Sequence, residues 1–289
     1  MAKPQLVVSV ENGPRAAEAV HALALEDVTI SFGSAQSRGG AVYTAIRDAT
    51  LRVKDGEFVS IVGPTGCGKS TLLNVAAGLL LPSKGRVSVF GQKLQGLNRQ
   101  AAYLFQTEAL MPWKNALDNV AIGLEVRGVP RREAVGRAQE WLVRVGLARF
   151  GDRYPHQMSG GMRKRVALAQ TLILDPKIMF MDEPFSALDV QTRQLMENEL
   201  LDLWAADRKS VLFVTHDLEE AISMSDRVVL LSAGPGARII GEYAVDLPRP
   251  RDVSEIRMTP GFLDLHKRIW ADLKEEVLKG YAQQQSRRD

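Results

Sequence analysis

The stretch that most limits how this chain can fold is Gly63-Pro64-Thr65-Gly66-Cys67-Gly68-Lys69-Ser70, which fits G-x-x-x-x-G-K-[ST]. It follows the apolar run Phe58 to Val62 and precedes Thr71-Leu72-Leu73, the start of an apolar helical pattern. A strand, a glycine-rich turn and a helix in that order aim backbone N–H groups and a helix N-terminus at one point, where an anion is stabilised. Lys69 adds a full charge for the β- and γ-phosphates of a nucleotide, and Ser70 carries the hydroxyl that ligates Mg²⁺ in such turns. Gly63, Pro64, Thr65, Gly66, Cys67, Gly68, Lys69, Ser70 and Thr71 are therefore candidate nucleotide-binding residues. Cys67, at a helix N-terminus that favours a thiolate, predicts that alkylation blocks the nucleotide chemistry.

The remaining chain supplies the sheet this turn needs. Short β-branched or apolar runs recur at Asp27 to Ser31, Thr50 to Val53, Arg86 to Phe90 and Tyr103 to Phe105. Ile178 to Met181, Val211 to Val214 and Val228 to Leu231 are nearly all apolar, as strands covered on both faces are. Met162, Val166, Ala169 and Ile173 step by four, three and four, one stripe of a helix. Strands alternating with helices mean an α/β fold with a parallel sheet. The run Ile178 to Met181 ends in Asp182-Glu183-Pro184, which puts two carboxylates at the C-terminal edge of a strand, where such sheets bind ligands. Strand alternation sends them to opposite faces, so Asp182 is read as the Mg²⁺ carboxylate and Glu183 as the general base.

Composition excludes several classes. With 45% hydrophobic and 25% charged residues the chain is neither disordered nor a coiled-coil rod. A net charge of +3 comes from interspersed signs, which gives no footprint for nucleic acid. One cysteine allows no internal disulfide. The apolar run Leu6 to Val10 is too short for an export signal, and the longest, Leu72 to Leu81, is too short to span a membrane. Residues 1–22 show no period and are read as a flexible extension, with the main domain over 23–247. Helical pattern replaces strand pattern over about 107–157, an inserted helical subdomain. Residues 248–289 form a helical tail, with Phe262, Leu265, Ile269, Leu273 and Val277 as the stripe that docks it on its own core.

Met158-Ser159-Gly160-Gly161-Met162 resembles the LSGGQ signature of ABC transporter ATPases, with methionine at both ends of an intact Ser-Gly-Gly centre. Ser159, Gly160 and Gly161 would open a helix and form a second anion site. Other residues match the family in order. Gln106 resembles the glutamine that reaches Mg²⁺ and links to the helical subdomain. Asp189, closing Ser186-Ala187-Leu188-Asp189, resembles the loop that communicates across a dimer, and His216 resembles the switch histidine on the γ-phosphate. Phe32 or Tyr43 would stack on adenine. The resemblance implies a P-loop NTPase core with a parallel sheet, an N-terminal antiparallel β-subdomain and the inserted helical subdomain.

It also implies ATP and Mg²⁺ as cofactors, Glu183, His216 and Lys69 as catalytic residues, and a second ATPase subunit that sandwiches ATP. Two permease subunits and a solute-binding protein would complete an importer, with this chain on the cytoplasmic face of a bacterial inner membrane. The segment Leu110 to Val120, Met162 and Leu247-Pro248-Arg249-Pro250-Arg251 resemble the ATPases for nitrate, sulfonate and taurine import. Pyrimidine-like or riboflavin-like cargo fits the same ATPase. Trp113 either lines the groove for a permease helix or packs inside the helical subdomain. Arg163-Lys164-Arg165 is read as a solvated helix face rather than a nucleic-acid site. An ABC ATPase of ribosomes or DNA would carry two motif sets or a coiled-coil insertion, and a phosphotransferase has no need of Ser159-Gly160-Gly161.

Overall fold

The computed structural model describes residues 20–33 and 42–285, so the extension expected at 1–22 lies almost wholly outside the described residues. Two sheets organise the chain. Strands β1 (Leu23–Phe32), β2 (Tyr43–Val53), β4 (Lys84–Val89) and β5 (Gln92–Lys93) form an antiparallel sheet in the order β2-β1-β4-β5. The second sheet joins β3 (Phe58–Val62), β6 (Ala101–Leu104), β7 (Ile178–Asp182), β8 (Ser210–Val214), β9 (Arg227–Leu231) and β10 (Ile239–Ala244). Its order is β10-β9-β3-β8-β7-β6, with β10 antiparallel to a parallel remainder. Every residue of β3 and β8 is buried, which explains why their sequences are apolar but for Ser60 and Ser210. β2 was legible only at its end, because Arg47, Asp48 and other polar residues on its open face mask the alternation.

Helices α1 (Lys69–Ala76), α4 (Gly160–Leu172), α5 (Val190–Ala206) and α6 (Leu218–Met224) cover the parallel sheet. Helices α2 (Ala116–Val126) and α3 (Arg131–Arg144) pack on α4 through Val120, Leu124, Ala138, Leu142, Val166 and Ile173. Asn115 caps α2 by accepting the Asp118 N–H. Buried Asn119 donates its amide to the carbonyls of Met111, Lys114 and Asn115, so the polar group is satisfied where the chain enters this subdomain. After the short α7 (Val253–Ile256), helix α8 (Pro260–Gln285) lays Phe262, Leu265, Ile269 and Leu273 on Val62, Leu218, Ile222 and Leu230, the docking its spacing predicts.

Sheet register then places the chemistry. Ile61 pairs with Val214, and Met181 with Phe213, so the loops after β3, β7 and β8 leave side by side from one edge.

Candidate nucleotide site

The loop after β3 turns through Gly66 at φ +77° and Gly68 at φ +106°, a region strained for any residue with a Cβ. Gly68 caps α1 without a side-chain bond, which leaves the first N–H groups of the helix for a ligand. Lys69 is buried, and its Nζ donates to the Gly63 and Pro64 carbonyls at 2.9 and 3.1 Å. The ammonium is therefore held inside the loop, fixed beside the backbone it serves.

Ser70 Oγ donates to Asp182 Oδ1 at 2.8 Å, across 112 residues of chain. Tyr103 Oη donates to Asn74 Oδ1 at 3.1 Å and reaches Asp182 Oδ2 at 3.4 Å. Burial holds the Asp182 carboxyl above its ordinary range and the Glu183 charge adds to this, against the Ser70 and Tyr103 hydrogen bonds and the Lys69 charge. Tyr103 is raised too, by burial and then by Asp182. A hydroxyl and a carboxylate already in contact are hard oxygen donors, and they fit Mg²⁺, which takes one or two protein ligands plus phosphate and water. Among the described residues no group of three or more His, Cys, Asp or Glu would cage a metal alone.

Glu183 lies one residue beyond β7 at φ +43°, and its N–H donates to the Val214 carbonyl at 2.8 Å. Asp182 and Glu183 meet separate partners, Ser70 and Tyr103 for the first and His216 for the second, while the left-handed backbone of Glu183 takes it out of the regular strand. Glu183 Oε2 sits 3.0 Å from His216 Nδ1. Behind His216, Thr215 bonds the buried Glu220, and Asp217 caps α6 by accepting from Glu219 and Glu220 N–H.

Ser159 caps α4, its Oγ accepting the Met162 N–H at 3.2 Å, and Ser159 itself is exposed. A Cβ on Gly161 would meet Thr192 Cγ2 at 2.9 Å, so glycine lets α4 approach α5. Met158 is buried in the helical subdomain, which makes this signature's first position an apolar anchor. Within the described chain no hydrogen bond joins residues 159–161 to the phosphate loop. Asp189 caps α5 by accepting the Thr192 N–H at 3.0 Å, and that bond holds its carboxyl below the ordinary range.

Gln106 is exposed just past β6, and its carbonyl accepts from Lys164 Nζ at 2.6 Å. Lys164 is buried on α4, also lies 3.6 Å from Glu108, and is lowered by that burial. The solvated-face reading of Arg163-Lys164-Arg165 is thereby corrected. Arg163 donates to the Met158 carbonyl at the start of its own helix and Arg165 pairs with Glu199 of α5 at 2.5 Å, so each of the three has a partner within the fold.

Cys67 also departs from expectation. It is 1% exposed, and burial raises its thiol against the nearby Lys69 charge, so the thiolate is disfavoured. Phe32 and Tyr43 are paired across β1 and β2, each 42% exposed, so both candidates stand on one edge. Gly33 closes β1, and residues 34–41 between them lie outside the described residues. Trp113 is 73% exposed, which overturns its packing inside the subdomain. Tyr103 and Lys164 are the site residues the sequence did not reveal. Tyr103 reads as one more apolar strand position, and Lys164 as one more surface charge.

Residues 46–186 match the family model described as ABC transporter. An uncharacterized ABC transporter ATP-binding protein of Methanocaldococcus jannaschii is 47% identical over 81% of this chain and 86% of its own length. The taurine import ATP-binding protein TauB of Pseudomonas aeruginosa is 41% identical over 78% of this chain and 84% of its own. Among solved structures, a dimeric post-hydrolysis state of the ATP-binding cassette MJ0796 bound to ADP and Pi matches with a TM-score of 0.67 and 31% identity, over 78% of this chain and all of that one. The chain belongs to the ABC transporter ATP-binding proteins. It has the ABC ATPase fold and hydrolyses ATP as the ATPase subunit of a transporter. No helix among the described residues is long and apolar enough to cross a membrane.

Proposed function

We propose that two copies of this chain close on ATP and drive an importer of small anions or zwitterions such as nitrate, sulfonates or taurine. The single observation that carries the ATPase site is the pairing of Glu183 Oε2 with His216 Nδ1 beside the Ser70–Asp182 bond, all at adjacent strand ends. In this reading Gly63 to Thr71 cradle the phosphates and Lys69 balances their charge. Ser70, and Asp182 through water, would hold Mg²⁺, which would neutralise phosphate oxygens, and Gln106 would be a further ligand to the same cation. Glu183 takes the proton of the attacking water, and His216 orients Glu183 and faces the γ-phosphate. Ser159, Gly160 and Gly161 of the second copy complete the site, with Asp189 at the crossing. Phe32 or Tyr43 supports the adenine.

Two permease subunits and a solute-binding protein serve this ATPase pair, which sits on the cytoplasmic face of the bacterial inner membrane. Trp113, exposed and seven positions after Gln106 in the sequence, is the surface for a permease helix. The cargo class is supported by the taurine import relative and by the segment Leu110 to Val120. Glu183→Gln tests the site: ATP affinity is retained and turnover falls by roughly 10² to 10⁴. Hydrolysis at the parent rate removes Glu183 from the base role. Uptake of taurine, alkanesulfonates and nitrate in a deletion strain tests the cargo, and normal uptake of all three refutes it.

A further inference from the structure

Helix α8 docks one face on the core and leaves its neighbouring edge beside the phosphate loop. Trp270, Leu273, Val277 and Tyr281 follow one line along the helix, at spacings of three, four and four. Together with Gly63, Pro64, Thr65 and His216 they wall a groove of about 400 Å³. The approach is close, since a Cβ on Gly280 would lie 3.6 Å from Pro64 Cβ.

The helix is also fixed there. Glu276 Oε2 accepts the Ala233 N–H at 2.7 Å, and the next residue, Gly234, lies against Cys67, with a Cβ built on it 3.5 Å from Cys67 Cα. A chain of contacts therefore runs from α8 through the loop after β9 to the floor of the phosphate loop. Leu273 is buried, whereas Trp270 is 44% and Tyr281 63% exposed. Large aromatics presented on a rigid helix lose little entropy when covered, and they are the side-chain types that anchor interfaces.

We propose that a second copy of this chain covers this groove, so that Trp270 and Tyr281 anchor the ATP-bound dimer. The proposal rests on the dimer reading above and extends it to a helix outside the nucleotide site. Its support is continuity: Gly63 to Thr65 and His216 line the groove and also belong to the nucleotide face that the dimer reading assigns to a second copy. A two-fold axis puts both copies of the groove into one interface, which doubles the effect of each anchor.

The test uses the full chain with Glu183→Gln, so that ATP persists, and measures dimerisation by sedimentation equilibrium with and without ATP. Tyr281→Asp and Trp270→Ala in that background are expected to weaken the ATP-dependent dimer at least tenfold, with monomer affinity for a fluorescent ATP analogue unchanged. Leu263→Asp, exposed on α8 outside the groove, is expected to leave the dimer intact. Hydrogen exchange on the chain carrying only Glu183→Gln should show residues 270–282 protected when ATP joins two copies. Unchanged dimer affinity in both groove variants, or no such protection, overturns the proposal. Protection that ADP produces in the monomer overturns it in favour of the nucleotide itself as the cover. A tighter dimer in the variants overturns it by making the groove a barrier. No ATP-dependent dimer at any concentration refutes the dimer reading, and the proposal falls with it.

Discussion

Replacing Arg257 with Met should destabilise the chain in a way that depends on pH, and the sign follows from the groups around Glu197. Glu197 is fully buried on α5, with Arg257 Nη2 3.3 Å from its Oε2 and its Oε1 without a partner. Burial raises its carboxyl well above the ordinary value of 4.5, and Arg257 is the largest charge opposing that rise. The folded chain thus keeps a proton that the unfolded chain releases. Stability is lost as pH climbs from the unfolded value through the folded one, at about 1.4 kcal/mol per pH unit for one such group.

Without Arg257 the folded value moves higher. Below neutrality both chains carry protonated Glu197, and the substitution costs the contacts of Arg257 with exposed Glu219, with Ser223 and with the neutral Glu197 carboxyl, together about 1–2 kcal/mol. Above the parent's folded value the parent stops losing stability while the variant continues. The penalty should grow by about 1.4 kcal/mol per pH unit, toward the roughly 3–5 kcal/mol of a broken buried pair. Urea unfolding of both chains at pH 6 and pH 8.5 measures it. An equal penalty at the two pH values would refute the reasoning.

Lys164→Met keeps the aliphatic stem and removes the donor to Gln106. We expect a loss of about 1–2 kcal/mol, because the exposed carbonyl regains water, with faster amide exchange at 105–109. Unchanged exchange there would show that Lys164 does not hold the segment. Cys67 should react with N-ethylmaleimide far more slowly in the folded chain than in urea, and rapid labelling of the native chain would contradict its burial. The double substitution Phe32→Ala and Tyr43→Ala should weaken ATP by about 5- to 150-fold, since stacking on a base is worth about 1–3 kcal/mol. Thermal stability should barely move because both rings are half-exposed, and unchanged ATP affinity would remove both from the adenine.

The parallel sheet was readable because β3, β7, β8 and β9 are buried on both faces over most of their length and each is apolar at all but one position. The phosphate loop and Asp182-Glu183 were readable because each is a short contiguous pattern at a strand end. What escaped depends on contacts between distant segments. Tyr103 meets Asp182 only because β6 pairs with β7, and Lys164 reaches Gln106 across 58 positions. Cys67 misled for a related reason. A helix N-terminus favours its thiolate, but Gly234 closes over it, and burial wins over the helix end. Glu183 lies past the end of β7 in a left-handed backbone, so its contact with His216 belongs to the turn, which no strand pattern describes.

The position of β3 in the sheet has a consequence for biosynthesis. β3 carries the phosphate loop, yet both its neighbours, β8 and β9, come from the far side of the chain, beginning about 150 residues later at Ser210. At about 5–20 residues per second, a ribosome needs roughly 8–30 s between finishing β3 and delivering the first partner strand. During that interval a strand that is apolar at all but Ser60 has no ladder partner, and the loops bearing Asp182, Glu183 and His216 arrive only with β7 and β8. Nucleotide cannot help the nascent chain fold through its first two-thirds. The emerging polypeptide depends instead on the early antiparallel sheet, and on whatever shields β3, until β8 and β9 enclose it.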